Sequence, residues 1–152
     1  MDILIPARGG SKGIPRKNLI DINGKSLLQR SIECALSAAT IDNVFVSSED
    51  DEILVAAQSF GATAIERPRE LSLDNTSTED VVYNFIKQNY IECLPQYLVF
   101  MQCTNITILP TDIERVINDL SSHKYGSVHT VVPDHRFTWK LTEDGVIDGG
   151  NH

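Results

Sequence analysis

Long apolar runs are missing from this chain of 152 residues. No stretch approaches the ~18 consecutive apolar residues of a membrane-spanning helix, so no membrane partner is expected. A secretory leader is missing too. Met1-Asp2 runs straight into a short apolar segment, without a basic region ahead of an apolar core, and a cytoplasmic protein is expected. Cysteine is scarce: Cys34, Cys93 and Cys103 form an odd set without metal-ligand spacing, and they are expected to be reduced thiols. His123, His129, His135 and His152 show no metal spacing either, and no protein metal site is expected. No Ser-His-Asp or Cys-His arrangement stands out. Repeats, low-complexity tracts and linkers are absent, so residues 1–152 are expected to form one domain or part of one. Positive charge is in deficit, with 13 Lys and Arg against 21 Asp and Glu and a net charge of −8. A nucleic-acid partner, which needs a broad basic face, is not expected.

Against that acidic background the first loop is unusual. No acidic residue lies between Asp2 and Asp21, while Arg8, Lys12, Arg16 and Lys17 all fall there, among Gly9, Gly10 and Gly13. The loop follows an apolar run at residues 3–5 that reads as a buried strand. Glycines let backbone N–H groups close on phosphate oxygens, and cations neutralise the phosphate charge. Ala7, Gly9, Gly10 and Ser11 are therefore expected against a nucleotide triphosphate. The spacing fits neither common phosphate loop. There is no G-x-x-x-x-G-K-[ST] run, and Gly9-Gly10-x-x-Gly13 leads into Ile14-Pro15 rather than a helix. Pro15 blocks early helix entry, so the loop is expected to stay open and extended past Asn18. The bland alternative is a surface turn with solvated cations.

Further along, strand and helix patterns alternate. Strands are expected at residues 3–5, 44–47, 62–65, 98–102 and 127–132. The first helix should carry Leu27, Leu28, Ile32, Ala35, Leu36 and Ala39 on one face. A second should cover residues 50–60, with Ser48 and Asp51 as a capping box and a stop at Gly61. A third begins near Ser77 or Thr78 with Val81, Val82, Phe85 and Ile86. A fourth begins at Pro110 or Thr111, with Glu114 completing a box. The alternation implies an α/β fold with a mostly parallel sheet, whose ligands bind beyond the carboxyl ends of the strands. Residues 136–141 alternate apolar and polar, with Phe137, Trp139 and Leu141 on one face. A turn at Glu143-Asp144-Gly145 and Val146-Ile147 then complete a β-hairpin pattern.

The run from Ile5 to Asn18 resembles the signature loop of the sugar-acid cytidylyltransferases, acylneuraminate cytidylyltransferases above all. Weaker resemblance continues at Val46-Ser47-Ser48-Glu49-Asp50, Glu66-Arg67-Pro68, residues 74–80 and Gln102-Cys103-Thr104. The resemblance implies a Rossmann-like sheet of the nucleotide-diphospho-sugar transferase type and a reaction joining CTP to a sialic-acid-like nonulosonic acid, with release of pyrophosphate. It gives Arg8, Lys12 and Lys17 the role of clamping the triphosphate, whereas Arg16 is expected to be solvated. Asn18 falls near the nucleotide, unless its amide merely closes the loop. Arg67 approaches the cytidine, where a guanidinium suits the acceptors of cytosine; the alternative is an exposed loop arginine. Ser77 and Thr78 also touch the nucleotide, and one of them must cap the following helix. Gln102 and Thr104 face the acceptor sugar, although the family's Gln-Pro-Thr-Ser-Pro is altered here to Gln102-Cys103-Thr104-Asn105-Ile106.

Mg²⁺ is expected with CTP, while the metal-holding aspartates of the resembled family lie beyond His152. Asp74 and Asp80 are expected to be turn and cap residues. The chain is thus expected to be truncated at its C-terminus, and the full-length form to be a homodimer. The alternatives are a cytidylyltransferase for 3-deoxy-octulosonate or for legionaminic- or pseudaminic-type acids, or a non-catalytic nucleotide-binding fragment.

Overall fold

A computed structural model describes residues 1–11, 13–92, 94–123, 125–131, 138–141 and 147–150. Strand β1, Asp2–Pro6, is buried through Ile3, Leu4 and Ile5. A two-residue turn then joins the short antiparallel strands β2, Asp21–Ile22, and β3, Lys25–Ser26. Asn23 and Gly24 form that turn at φ 54° and 81°, a tight hairpin geometry that needs residues tolerant of the left-handed region. Helix α1, Leu27–Leu36, is capped by the Ser26 hydroxyl. It ends before Ala39: Ser37 still makes the helical bond to the Glu33 carbonyl, but the Ala38 N–H tightens to an i−3 bond on the Ala35 carbonyl.

Strand β4, Asn43–Ser48, leads to α2, Asp51–Ser59, and β5, Thr63–Glu66. The cap of α2 is Asp50, which accepts the N–H groups of Glu52 and Ile53. The expected Ser48–Asp51 box is not formed, because Ser48 lies in the strand and its hydroxyl accepts the Asp50 N–H. Gly61, at φ 92°, ends the helix as expected.

Helix α3, Thr78–Asn89, is capped by Ser77. It is followed by β6, Leu98–Phe100, α4, Pro110–His123, and the antiparallel pair β7, Thr138–Leu141, and β8, Ile147–Gly150. β6 is shorter than expected: after Met101 donates to the Leu4 carbonyl, the chain turns with Asn105 bonding back to Gln102. Residues 127–131 form no strand, and Val132 lies outside the described residues. At the start of α4, Asp112 accepts the Leu109 N–H. Glu114 forms no box; it reaches away to accept from Ala39 N–H.

The main sheet is parallel, in the order β5-β4-β1-β6. Alternation along the strands sorts side chains between two faces. Ile3, Ile5, Val44 and Val46 pack with Leu28 and Ile32 of α1, Ile53 of α2, and Ile113 and Ile117 of α4. Leu4 points the other way, in register with Phe45 and Phe100. There the fully buried Phe85 of α3 meets Phe45 at a ring separation of 5.0 Å. Helices thus cover both faces, which leaves the ends of the strands as the place for a ligand.

Candidate active site

The strand order reverses between β1 and β6, and a cleft of about 360 Å³ opens there at the carboxyl ends. Residues far apart in sequence share its wall. Arg8, Ser11, Lys17 and Asn18 come from the glycine loop, Arg67 from the end of β5, Ser77 and Thr78 from the start of α3, and Gln102 and Thr104 from the turn after β6. Ala7 is buried beneath the loop, its N–H bonded to the Ser47 carbonyl. Gly10 has open space around its α-carbon. Lys12 lies outside the described residues.

The loop does not stay extended. Arg16 enters the left-handed region at φ 55°, and Lys17–Leu19 wind into one 3₁₀ turn. Pro15 is itself part of the turn closed by Lys17 N–H on the Ile14 carbonyl, at the first central position where its fixed φ is favoured. Asn18 is buried within it and donates from Nδ2 to the Arg8 carbonyl at 3.0 Å, so its amide closes the loop while the residue also borders the cleft. Arg16 is not merely solvated either. Its guanidinium pairs with Asp50 at 2.9 Å and with Glu52, fastening the loop to the start of α2. Gly9 sits so close to this anchor that a Cβ would collide with the Asp50 carboxylate.

Glu49 is the residue that sequence reasoning missed. Its Oε1 accepts the Gly9 N–H at 2.9 Å, and its Oε2 accepts from Arg67 Nη2 at 3.3 Å. Arg67 is only 4% exposed, and its Nε donates to the Ser72 hydroxyl at 3.0 Å. Burial pushes the Glu49 carboxyl up. Hydrogen bonds from Ser72 and from backbone N–H groups, with the Arg67 charge, outweigh that and hold it below the usual carboxylate range. Burial lowers Arg67, and the Glu49 charge opposes that effect. The signal for Glu49 was its place directly after a strand, on the same sheet edge as the glycine loop.

Asp74 lies in a turn, as expected, closed by Thr76 N–H on the Leu73 carbonyl, and its carboxylate also accepts from Arg8 Nη1 at 2.9 Å. Ser77 accepts from Asp80 N–H and donates to the Asp80 carboxylate while also lining the cleft, so capping and site position coexist. Cys103 is buried at the cleft floor, and desolvation raises its thiol to about 12. Among the described residues no three His, Cys, Asp or Glu side chains gather to hold a metal.

A family model described as cytidylyltransferase matches residues 3–148. N-acylneuraminate cytidylyltransferase A of Danio rerio is 33% identical over 142 residues, covering 93% of this chain and 32% of its own. Pseudaminic acid cytidylyltransferase of Campylobacter jejuni subsp. jejuni is 51% identical over 85 residues, covering 55% of this chain and 37% of its own. The chain thus spans about a third of the length of these curated relatives. Among solved structures, a CMP:2-keto-3-deoxy-manno-octonic acid synthetase complexed with CTP is 30% identical with a TM-score of 0.68, over 80% of this chain and 47% of its own. With the family model matched along almost its whole length, the chain belongs to the cytidylyltransferase family.

Proposed function

We propose that this chain forms the CTP side of an enzyme that joins CTP to a sugar acid of the sialic-acid-like, nonulosonic class. The observation that carries this reading is the convergence of Arg8, Lys17, Arg67, Ser77 and Gln102 on one cleft at the switch point of the sheet. Arg8, Lys12 and Lys17 take the triphosphate, and Arg67 takes the base. Gln102 and Thr104 face the sugar acid, whose hydroxyl attacks the α-phosphorus and displaces pyrophosphate. The cations stabilise the charge that develops on the departing group. Mg²⁺ is read as arriving with CTP; among the described residues no three His, Cys, Asp or Glu side chains gather to hold it, and Asp74 on the cleft wall is engaged by Arg8. Such an ion keeps waters and uses substrate phosphates readily. A pseudaminic-type acceptor is the second reading, favoured by the 51% identity over 85 residues.

Calorimetric titration with CTP and pyrophosphate release measured with sialic, pseudaminic and 3-deoxy-octulosonic acids test the proposal. CTP binding with release stimulated by a nine-carbon acid supports it; absence of CTP binding overturns it. The proposed homodimer rests on Phe137, outside the described residues, and on Trp139, whose side chain is not described. Sedimentation velocity tests it directly.

A further inference from the structure

We propose that Glu49 is a positioning residue that aims Arg67 at the base and pins the glycine loop with the same carboxylate. The inference rests on the reading of Arg67 as the group that meets cytosine. Two of the three guanidinium nitrogens are committed: Nη2 to Glu49 and Nε to Ser72. Nη1 makes no protein hydrogen bond among the described residues, and Arg67 borders the cleft despite its burial. The guanidinium therefore presents one donor group in a fixed direction. A fixed donor discriminates between bases better than a mobile one, because a poorly matched acceptor cannot be followed. Cytosine offers an acceptor at ring N3, where uracil offers a donor. The other carboxylate oxygen holds Gly9 N–H. Gly9 therefore belongs to the framework of the site, and the loop N–H groups that can meet phosphate lie beyond it. Through Glu49, the end of β4 joins the phosphate loop after β1 to the base-facing arginine after β5.

The test is Glu49→Gln in the full chain. Glutamine keeps one oxygen for Gly9 but turns a donor toward Arg67, so the two functions separate. The CTP-to-UTP affinity ratio should fall about tenfold, the scale of a hydrogen bond to a charged group. The affinity for inorganic tripolyphosphate, the probe for the loop alone, should stay within about threefold, since the Gly9 bond is retained. Circular dichroism establishes that the variant is folded. A folded Glu49→Gln that keeps the parent ratio overturns the proposal, and the base-reading function survives it. A parent chain that binds CTP and UTP alike overturns that function and the proposal together. If Glu49→Gln does not fold, Ser72→Ala on the outer turn reads the same geometry. It should lower the ratio about threefold, as a neutral acceptor does, and an unchanged ratio overturns the proposal.

Discussion

Arg8 illustrates how much of a site's chemistry is decided by partners far away in sequence. Its guanidinium is a candidate phosphate ligand, yet it pairs with Asp74 at 2.9 Å. Both side chains are partly exposed, so the pair is worth at most ~1 kcal/mol and is readily displaced. Asp74→Asn should therefore strengthen triphosphate binding no more than about fivefold, and only at low salt. Arg8→Ala should weaken CTP binding by ~1.5–3 kcal/mol while the melting temperature stays near that of the parent. Calorimetry with both variants checks these expectations. Cys103 gives an independent readout of the cleft floor. Its buried, protonated thiol should react slowly with iodoacetamide at pH 8, as followed by mass spectrometry, and rapid labelling would place it elsewhere. The cationic glycine loop stood out by its own chemistry, whereas Arg67, Ser77, Thr78 and Gln102 were singled out by family resemblance; the structure sets all four, with Arg8 and Lys17, along the cleft. The pairing of Arg8 with Asp74 and of Arg16 with Asp50 and Glu52 was not legible, since each joins segments that only the strand order makes neighbours.

Local patterns served best for elements whose signal is periodic. Helices α1 to α4 lie where apolar spacing placed them, and Ser77 and Gly61 act as terminators on their own chemistry. Errors arose where two local options competed. Ser48 and Asp50 can both cap a helix, and the pairing of β4 with β5 through Ser48 leaves the role to Asp50. Pro15 argued for an extended loop, yet the buried Asn18 amide and the Lys17 N–H bond to Ile14 favour a 3₁₀ turn. The Asn23-Gly24 hairpin was missed although its dipeptide is a strong turn signal, because β2 and β3 have two residues each and show no alternation. Asp50 is the element cap whose loss should matter most. Asp50→Ala removes the cap of α2, costing ~1 kcal/mol, and frees Arg16 from the loop anchor. Both melting temperature and CTP affinity should therefore fall, whereas Ser26→Ala at the start of α1 should lower only the former.

For the whole molecule, one acidic network links stability to the site. Glu49 has its folded value held below the unfolded one, 4.5. Its contribution is therefore fully present above pH 4.5 and is lost as the pH falls through the lower folded value. Glu49→Gln should flatten the acid limb of the stability curve measured by urea unfolding, and an unchanged limb would show that the carboxylate is not held this way. On the proposed reading CTP binding should also outlast turnover, because Arg8, Lys17 and Arg67 line the cleft while no metal-holding cluster gathers among the described residues. The central claim is that the cleft between β1 and β6 selects a cytidine triphosphate. Calorimetric titration of the chain with CTP, UTP, ATP and GTP in the presence of Mg²⁺ tests it most directly, with Arg67→Ala measured alongside. The account predicts that CTP binds tightest, and that Arg67→Ala narrows the preference more than it weakens the shared triphosphate affinity. Equal binding of all four nucleotides by the parent chain would contradict it.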